Sequence, residues 1–225
     1  YFVVNRPDGV TMESGSVENE IRDYVESCIQ VTGETAINHI GQHGGYFVLP
    51  ETSARFNSFN TAYYLYQNRS IMPSLDRIEI EIGNYIDSEL FYCLKNFAEF
   101  KKDGLQVEQG SAKTKTRILE DSIYFEVDMP LKINNRGNKI EMGSFTNSVD
   151  NVRLPPIYSV ARLIINGMQK NNGAICLSCI IDYGIKHNLH VSVNAIGERD
   201  VLFTVTDPES TLEDEKYKFL FAGKI

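Results

Sequence analysis

An α+β fold, with N-terminal helices packed on an antiparallel β-meander, is what this sequence predicts, and three observations predict it. Apolar residues recur at helical spacing through much of residues 16–104. After Gly104 the period shortens to alternation, the mark of half-buried strands. Asn134-Asn135-Arg136-Gly137 then supplies a tight turn between two such runs. Helices first and strands later is the α+β pattern. It divides the chain into a mainly helical lobe, 1–104, and a β-rich lobe with one or two helices, 105–225, though both fit within a single domain.

Each element has its own justification. Ser16 reads as an N-cap, with Glu18 and Glu20 in the first turn, where the helix dipole favours anions. Val17, Ile21, Tyr24, Val25, Cys28, Thr32 and Ile40 continue the helix to about His43, and Gly44-Gly45 stop it. Tyr46 to Leu49 is a short apolar run ended by Pro50, and Ala62 to Tyr66 reads as a strand. A second helix starts near Ser74 and buries Ile78, Ile82, Tyr85, Ile86, Leu90, Cys93, Leu94 and Phe97 before ending at Lys101, Lys102 and Gly104. Val107, Lys113 to Leu119 and Ser122 to Ile133 are strands, with Ile123, Phe125, Val127 and Met129 on the inner face. Pro155-Pro156 open a third helix that Asn171-Asn172-Gly173 close. Ala174 to Tyr183 fits either a buried helix or a strand. Leu189 to Ile196, Val201 to Thr206 and Tyr217 to Ala222 read as further strands.

Composition narrows the function classes. Of 225 residues, 42% are hydrophobic and 23% charged, which excludes a disordered chain and a simple coiled coil. The net charge of −8 argues against a nucleic-acid binder. Residues 1–104 carry 8 basic against 15 acidic groups, a net of −7, and the remainder is close to neutral. No window is apolar enough to span a bilayer. The chain begins Tyr1-Phe2-Val3-Val4 without Met, and three readings stay open: an artificial cut, the remnant of a trimmed signal or anchor, or an ordinary first strand.

Tyr24-Val25-Glu26-Ser27-Cys28, followed by Gly41-Gln42-His43-Gly44-Gly45-Tyr46-Phe47, resembles uncharacterised archaeal membrane-anchored proteins. In these, a YVESC-like helix leads into a QGGY-like turn, and His43 here interrupts the Gln-Gly-Gly. The resemblance implies an extracytoplasmic, cell-surface domain whose anchor precedes Tyr1. It implies no activity and no cofactor.

Cys28 and Cys93 each lie on the apolar stripe of an expected helix, so antiparallel packing of the two helices allows a disulfide between them. Reduced core thiols are the alternative. Cys176-Leu177-Ser178-Cys179 is a CxxC, open to a local disulfide, buried thiols, a redox pair at a helix start, or two of four zinc ligands. Its apolar neighbours Ile175, Ile180 and Ile181 favour burial. His39 and His43 lie four apart but lack the Glu of a zinc-protease motif, so cations near a helix C-terminus are the simpler reading. Lys113, Lys115 and Arg117 form a basic stripe. A two-residue loop at Glu120-Asp121 sets them opposite Asp128, Glu126 and Tyr124, so the neighbouring strand neutralises them. Asp207 to Glu215 is an acidic run without calcium-loop spacing, read as a solvated turn. Asn68-Arg69-Ser70 matches the glycosylation acceptor pattern.

The expected function is a non-catalytic binding or assembly module, extracytoplasmic and attached to a membrane through an anchor absent from this chain. No metal, cofactor or nucleic acid is expected. A thiol–disulfide oxidoreductase using Cys176 and Cys179, or a cytosolic subunit of a larger complex with reduced thiols, are the alternatives. The first helix is the expected association surface. Ile29, Val31 and Ile37 widen its apolar arc, so either the second helix and the sheet cover it together, or a partner or second copy does.

Overall fold

The computed structural model describes residues 14–56 and 59–225; the apolar start, Phe2 to Val4, lies outside them. Ser14–Gln42 form α1, which begins two residues ahead of the expected cap. Its 29 residues reach about 43 Å at 1.5 Å each. It ends at Gly44 and Gly45, both at positive φ, where the Gly45 N–H donates to the Ile40 carbonyl at 2.8 Å. That six-to-one bond satisfies a terminal carbonyl, and it needs a backbone conformation that glycine adopts freely.

Ser53–Phe56 (β1) pairs antiparallel with Phe59–Tyr66 (β2), and Arg69–Ser70 (β3) turns back onto β2. The run Tyr46 to Leu49 forms no strand. Instead the Phe47 N–H donates to buried Glu81 at 3.0 Å, and Arg77 balances that carboxylate at 2.5 Å. The Ser74 hydroxyl accepts the Arg77 N–H at 3.1 Å and caps α2, Leu75–Leu94.

The second helix stops short of Lys102. Lys95, Asn96 and Phe97 all take positive φ, and Ala98–Lys102 resume as a short α3. The break turns Phe97 into the core, its ring 5.9 Å from that of Tyr24. The Tyr24 hydroxyl lies 3.1 Å from both the Cys93 and Leu94 carbonyls and serves them as donor where a continuing helix no longer does.

One sheet is built on Ser122–Asn135 (β6). Asn138–Asp150 (β7) follows one of its edges; Lys113–Ile118 (β5) and Gln106–Gln109 (β4) share the other. The β5–β6 register is the one expected, with Arg117 opposite Tyr124, Lys115 opposite Glu126 and Lys113 opposite Asp128. Lys115 and Glu126 form an ion pair at 3.8 Å. Lys113 does not bond across the strands; its ammonium reaches Asp87 of α2 at 3.3 Å. The cause is that β5 is an edge strand whose outward N–H groups need acceptors. Asp87 accepts the Thr114 N–H and Glu79 the Ile118 N–H, each at 2.7 Å. Gly83 lies between them on the same helical face, and a Cβ there would sit 3.0 Å from the Thr114 carbonyl oxygen. The helix thus covers the edge.

Leu154–Lys170 (α4) opens on the two prolines, and Leu177–His187 form α5, which resolves the ambiguous stretch as helix. His190–Ala195 (β8), Asp200–Leu212 (β9) and Glu215–Lys224 (β10) complete a second sheet in the order β1-β2-β10-β9-β8. Within it β10 runs parallel to β2 and antiparallel to β9. Residues from both sides of position 104 therefore share one sheet, and one apolar cluster runs from Val17 to Phe221. Helix α1 reaches both sheets. A Cβ on Gly33 would lie 2.4 Å from the Phe125 ring of β6, and one on Gly41 would lie 2.8 Å from Lys218 O and the Tyr217 hydroxyl of β10.

The acidic run is not a solvated turn. Strand β9 continues through most of it, leaving Glu213-Asp214 as the turn, and Asp207 is 0% exposed. Its carboxylate accepts Arg153 Nε at 3.0 Å and Nη2 at 2.5 Å, the Ser210 hydroxyl at 2.5 Å and the Glu209 N–H at 3.0 Å. The Arg153 N–H donates to Ser210 Oγ at 2.9 Å, so the network clamps the start of α4 to β9. Burial alone raises the Asp207 pKa, but the hydrogen bonds from Arg153, Ser210 and Glu209 outweigh it and hold the carboxyl below the ordinary aspartate value.

A depressed carboxyl contributes stability that is complete above its unfolded pKa, about 3.9, and is lost as pH falls through the folded value. Asp207→Asn is expected to cost about 3 kcal/mol at pH 7 by taking from Arg153 its buried charge partner and leaving it only the exposed Glu209, at 2.7 Å. The gap to the parent narrows below about pH 4, which urea titrations at pH 7 and pH 3 check. Two glycines separate packing from propensity. Gly33→Ala is expected to destabilise by about 1–3 kcal/mol through overpacking against Phe125. Gly167→Ala on α4, where a Cβ meets nothing within 4 Å, gains up to about 1 kcal/mol. Thermal melts of the two variants should move in opposite directions.

Candidate functional site

The chemistry-bearing groups collect at the start of α5. Chain reversal after α4 depends on Asn172 and Gly173 at positive φ, with the Gly173 N–H donating to the Met168 carbonyl at 2.8 Å. This places Cys176 at the N-cap of α5, where its sulfur accepts the Cys179 N–H at 3.3 Å and lies 3.6 Å from the Ser178 hydroxyl. Cys176 and Cys179 form a disulfide with Cα atoms 5.3 Å apart. Both are half-buried, not enclosed. They border a cavity of about 320 Å³ between α4 and α5, whose walls include Leu163, Met168, Ile175, Tyr183 and Lys170.

Helix α5 is apolar on two faces. Ile180 and Gly184 face the protein, and a Cβ on Gly184 would meet the Leu189 carbonyl at 2.7 Å. Leu177, Ile181 and Ile185 face solvent, 61%, 62% and 74% exposed. The expected burial of Ile181 is thereby corrected, since only Ile180 of that pair points inward. Sequence reasoning missed the outer stripe. Its signal was the i, i+4, i+8 spacing, masked by the apolar residues interleaved with it.

Cys28 and Cys93 join α1 to α2, with Cα atoms 5.7 Å apart. Their setting is unlike that of the first pair. Cys28 is 4% exposed while Cys93 is half-buried, and Tyr24, one turn before Cys28, holds the carbonyls of Cys93 and Leu94. The apolar arc of α1 is covered within the chain at Ile29 and Ile37, which are buried, but not at Val31, which is 55% exposed.

His39 and His43 lie with ring centroids 4.1 Å apart and their planes tilted by 41°. His39 Nε2 is 3.1 Å from the Phe47 carbonyl, and His43 Nδ1 is 2.8 Å from the His39 carbonyl. Burial, ahead of the opposing bond to the His39 carbonyl, lowers the His43 pKa, so the neutral ring is favoured at neutral pH. His43 is thus a packed ring more than a surface cation. Among the described residues no group of three or more His, Cys, Asp or Glu is placed to hold a metal ion.

Fold and bridges together define a disulfide-braced α+β domain. No family model, curated protein or solved structure matches the chain. The bonded cysteines are compatible with an oxidising, extracytoplasmic location, and no helix among the described residues is long and apolar enough to cross a membrane.

The two bridges differ in what they do for stability. In the chain-entropy account, closing a loop of sequence separation 65 is worth about 4 kcal/mol, and closing one of separation 3 about 2 kcal/mol. Replacing Cys28 and Cys93 by Ala is accordingly expected to cost about twice as much as replacing Cys176 and Cys179. Denaturant titration of the two double variants measures the difference.

Proposed function

We propose that this chain is the extracytoplasmic domain of a membrane-anchored protein, where it serves as a non-catalytic binding or assembly module. The observation that carries the reading is the Cys28–Cys93 bridge, buried at Cys28 and half-buried at Cys93. A covalent brace inside a core persists where thiols are not continually reduced, and small-molecule thiols keep such pairs open in most cytosols. The helix-and-turn likeness at Tyr24 to Cys28 and Gly41 to Phe47 supports the anchor. The outward stripe of Leu177, Ile181 and Ile185 supports a binding role, because contiguous apolar surface is generally covered by a partner. Ile29 and Ile37 of α1 are packed within the chain, which leaves Val31 as the exposed part of its arc, and the α5 face is the larger apolar surface proposed to meet a partner.

Thiol mapping in the cell of origin tests the reading. Intact cells are treated with a membrane-impermeant amine reagent, then lysed into an alkylating agent. The chain is expected to be labelled before lysis, with Cys28 and Cys93 recovered as one cross-linked peptide. Alkylated thiols at both positions, or labelling only after lysis, favours a cytosolic subunit instead.

A further inference from the structure

We infer that Cys176 and Cys179 form a thiol–disulfide exchange site whose substrate is an extended polypeptide carrying two thiols. The inference shares the α5 face with the binding role proposed above and adds a covalent reaction at one end of it.

Three independent features converge there. The first is access. Both cysteines are half-buried on the wall of a 320 Å³ cavity, whereas in the other bridge only Cys93 is half-buried and Cys28 is sealed in the core. An attacking thiolate must reach a sulfur, and at α5 it has a route.

The second is stabilisation of the reduced form. The Cys176 sulfur already accepts the Cys179 N–H at 3.3 Å and lies 3.6 Å from the Ser178 hydroxyl, at the positive end of the α5 dipole. Lys170 lines the same cavity. The Cys179 N–H, the Ser178 hydroxyl and the helix dipole each favour a thiolate at Cys176 over a neutral thiol. A pair whose reduced form is stabilised is the more oxidising for it.

The third is a track for the substrate. Leu177, Ile181 and Ile185 span eight helical residues, about 12 Å. That is the length of about four residues of extended chain at 3.3 Å each. The track starts at the residue after Cys176, on the side of α5 away from the cavity, so a peptide laid along it and continued past the helix N-terminus reaches Cys176.

The exchange balances within one encounter. A substrate thiolate attacks Cys176 Sγ, the Cys176–Cys179 bond breaks, and its electron pair leaves on Cys179, which takes a proton. A mixed disulfide now joins Cys176 to the substrate. The second substrate thiolate attacks the substrate sulfur of that bond, closing the substrate's own disulfide. Cys176 departs as the thiolate held by the Cys179 N–H and Ser178. Two electrons pass from one dithiol to one cysteine pair.

The test uses the whole oxidised chain and a reduced synthetic peptide with two cysteines flanked by leucines, with reduced glutathione as the small thiol. One peptide disulfide per chain is expected, with Cys176 and Cys179 reduced and Cys28–Cys93 intact. The peptide should react at least tenfold faster than with oxidised glutathione at equal concentration. In Cys179→Ser, alkylation of Cys176 is expected to titrate at about 7.5 or below, against about 8.5 for an ordinary thiol. Replacing Leu177 and Ile181 by Ser should slow the peptide about tenfold and leave glutathione within twofold. A peptide that stays reduced, a Cys176 titrating at or above the ordinary value, or equal rates with the serine variant would each overturn the proposal. The compartment reading survives any of these outcomes, because it rests on Cys28 and Cys93.

Discussion

One helix touching two sheets is the constraint on which the rest of the structure depends. Helix α1 crosses Phe125 of β6 at Gly33 and approaches the β10 backbone at Gly41. At Gly33 a methyl group already exceeds the available space, and at Gly41 it would press on the Lys218 carbonyl and Tyr217. Because both contacts are made by a single rigid rod, the two sheets are held at a set separation, and their inner faces merge into one core. The Cys28–Cys93 bridge then attaches α2 to the rod. Tyr24 completes that joint by donating to the last carbonyls of α2.

Charged groups make the remaining joints, and they do so where backbone polarity would otherwise be left open. Glu79 and Asp87 serve the exposed N–H groups of β5, with Gly83 between them to let the helix come close. Glu81, on another side of the same helix, anchors the turn at Phe47. Asp207 does the equivalent for α4, spreading its charge over Arg153, Ser210 and a backbone N–H. A buried carboxylate is tolerated only when its lone pairs are used in this way. These residues look like surface charge in the sequence and act as connectors in the fold.

The two disulfides illustrate how position decides role. The same bond closes a long loop in the core at one place and a single helical turn at the edge of a cavity at the other. Loop entropy makes the first a brace, while the second contributes less to holding the chain together. What the second has is a place on a cavity wall for both cysteines, a helix N-terminus, and an apolar stripe along the outer side of the same helix.

Much of the local structure was legible in the sequence, because caps, turns and periodicities act over a few residues. Ser74, the paired prolines, Gly44-Gly45 and Asn171-Asn172-Gly173 mark helix ends by chemistry that needs no distant partner. The two-residue loop at Glu120-Asp121 likewise fixes which residues of β5 and β6 face each other. Tertiary structure decided the rest. The parallel pairing of β2 with β10 joins residues some 160 positions apart, and neither strand carries a local sign of its neighbour. Lys113 turned from Asp128 to Asp87 because α2 came to lie along its strand. Phe97 broke the second helix because the core had room for its ring beside Tyr24. With apolar residues on two faces of α5, periodicity gave no inward direction, and only packing against α4 and β8 left Leu177, Ile181 and Ile185 outside. Local patterns set the elements; which side of each element meets solvent follows from contacts that close only when the whole chain has folded.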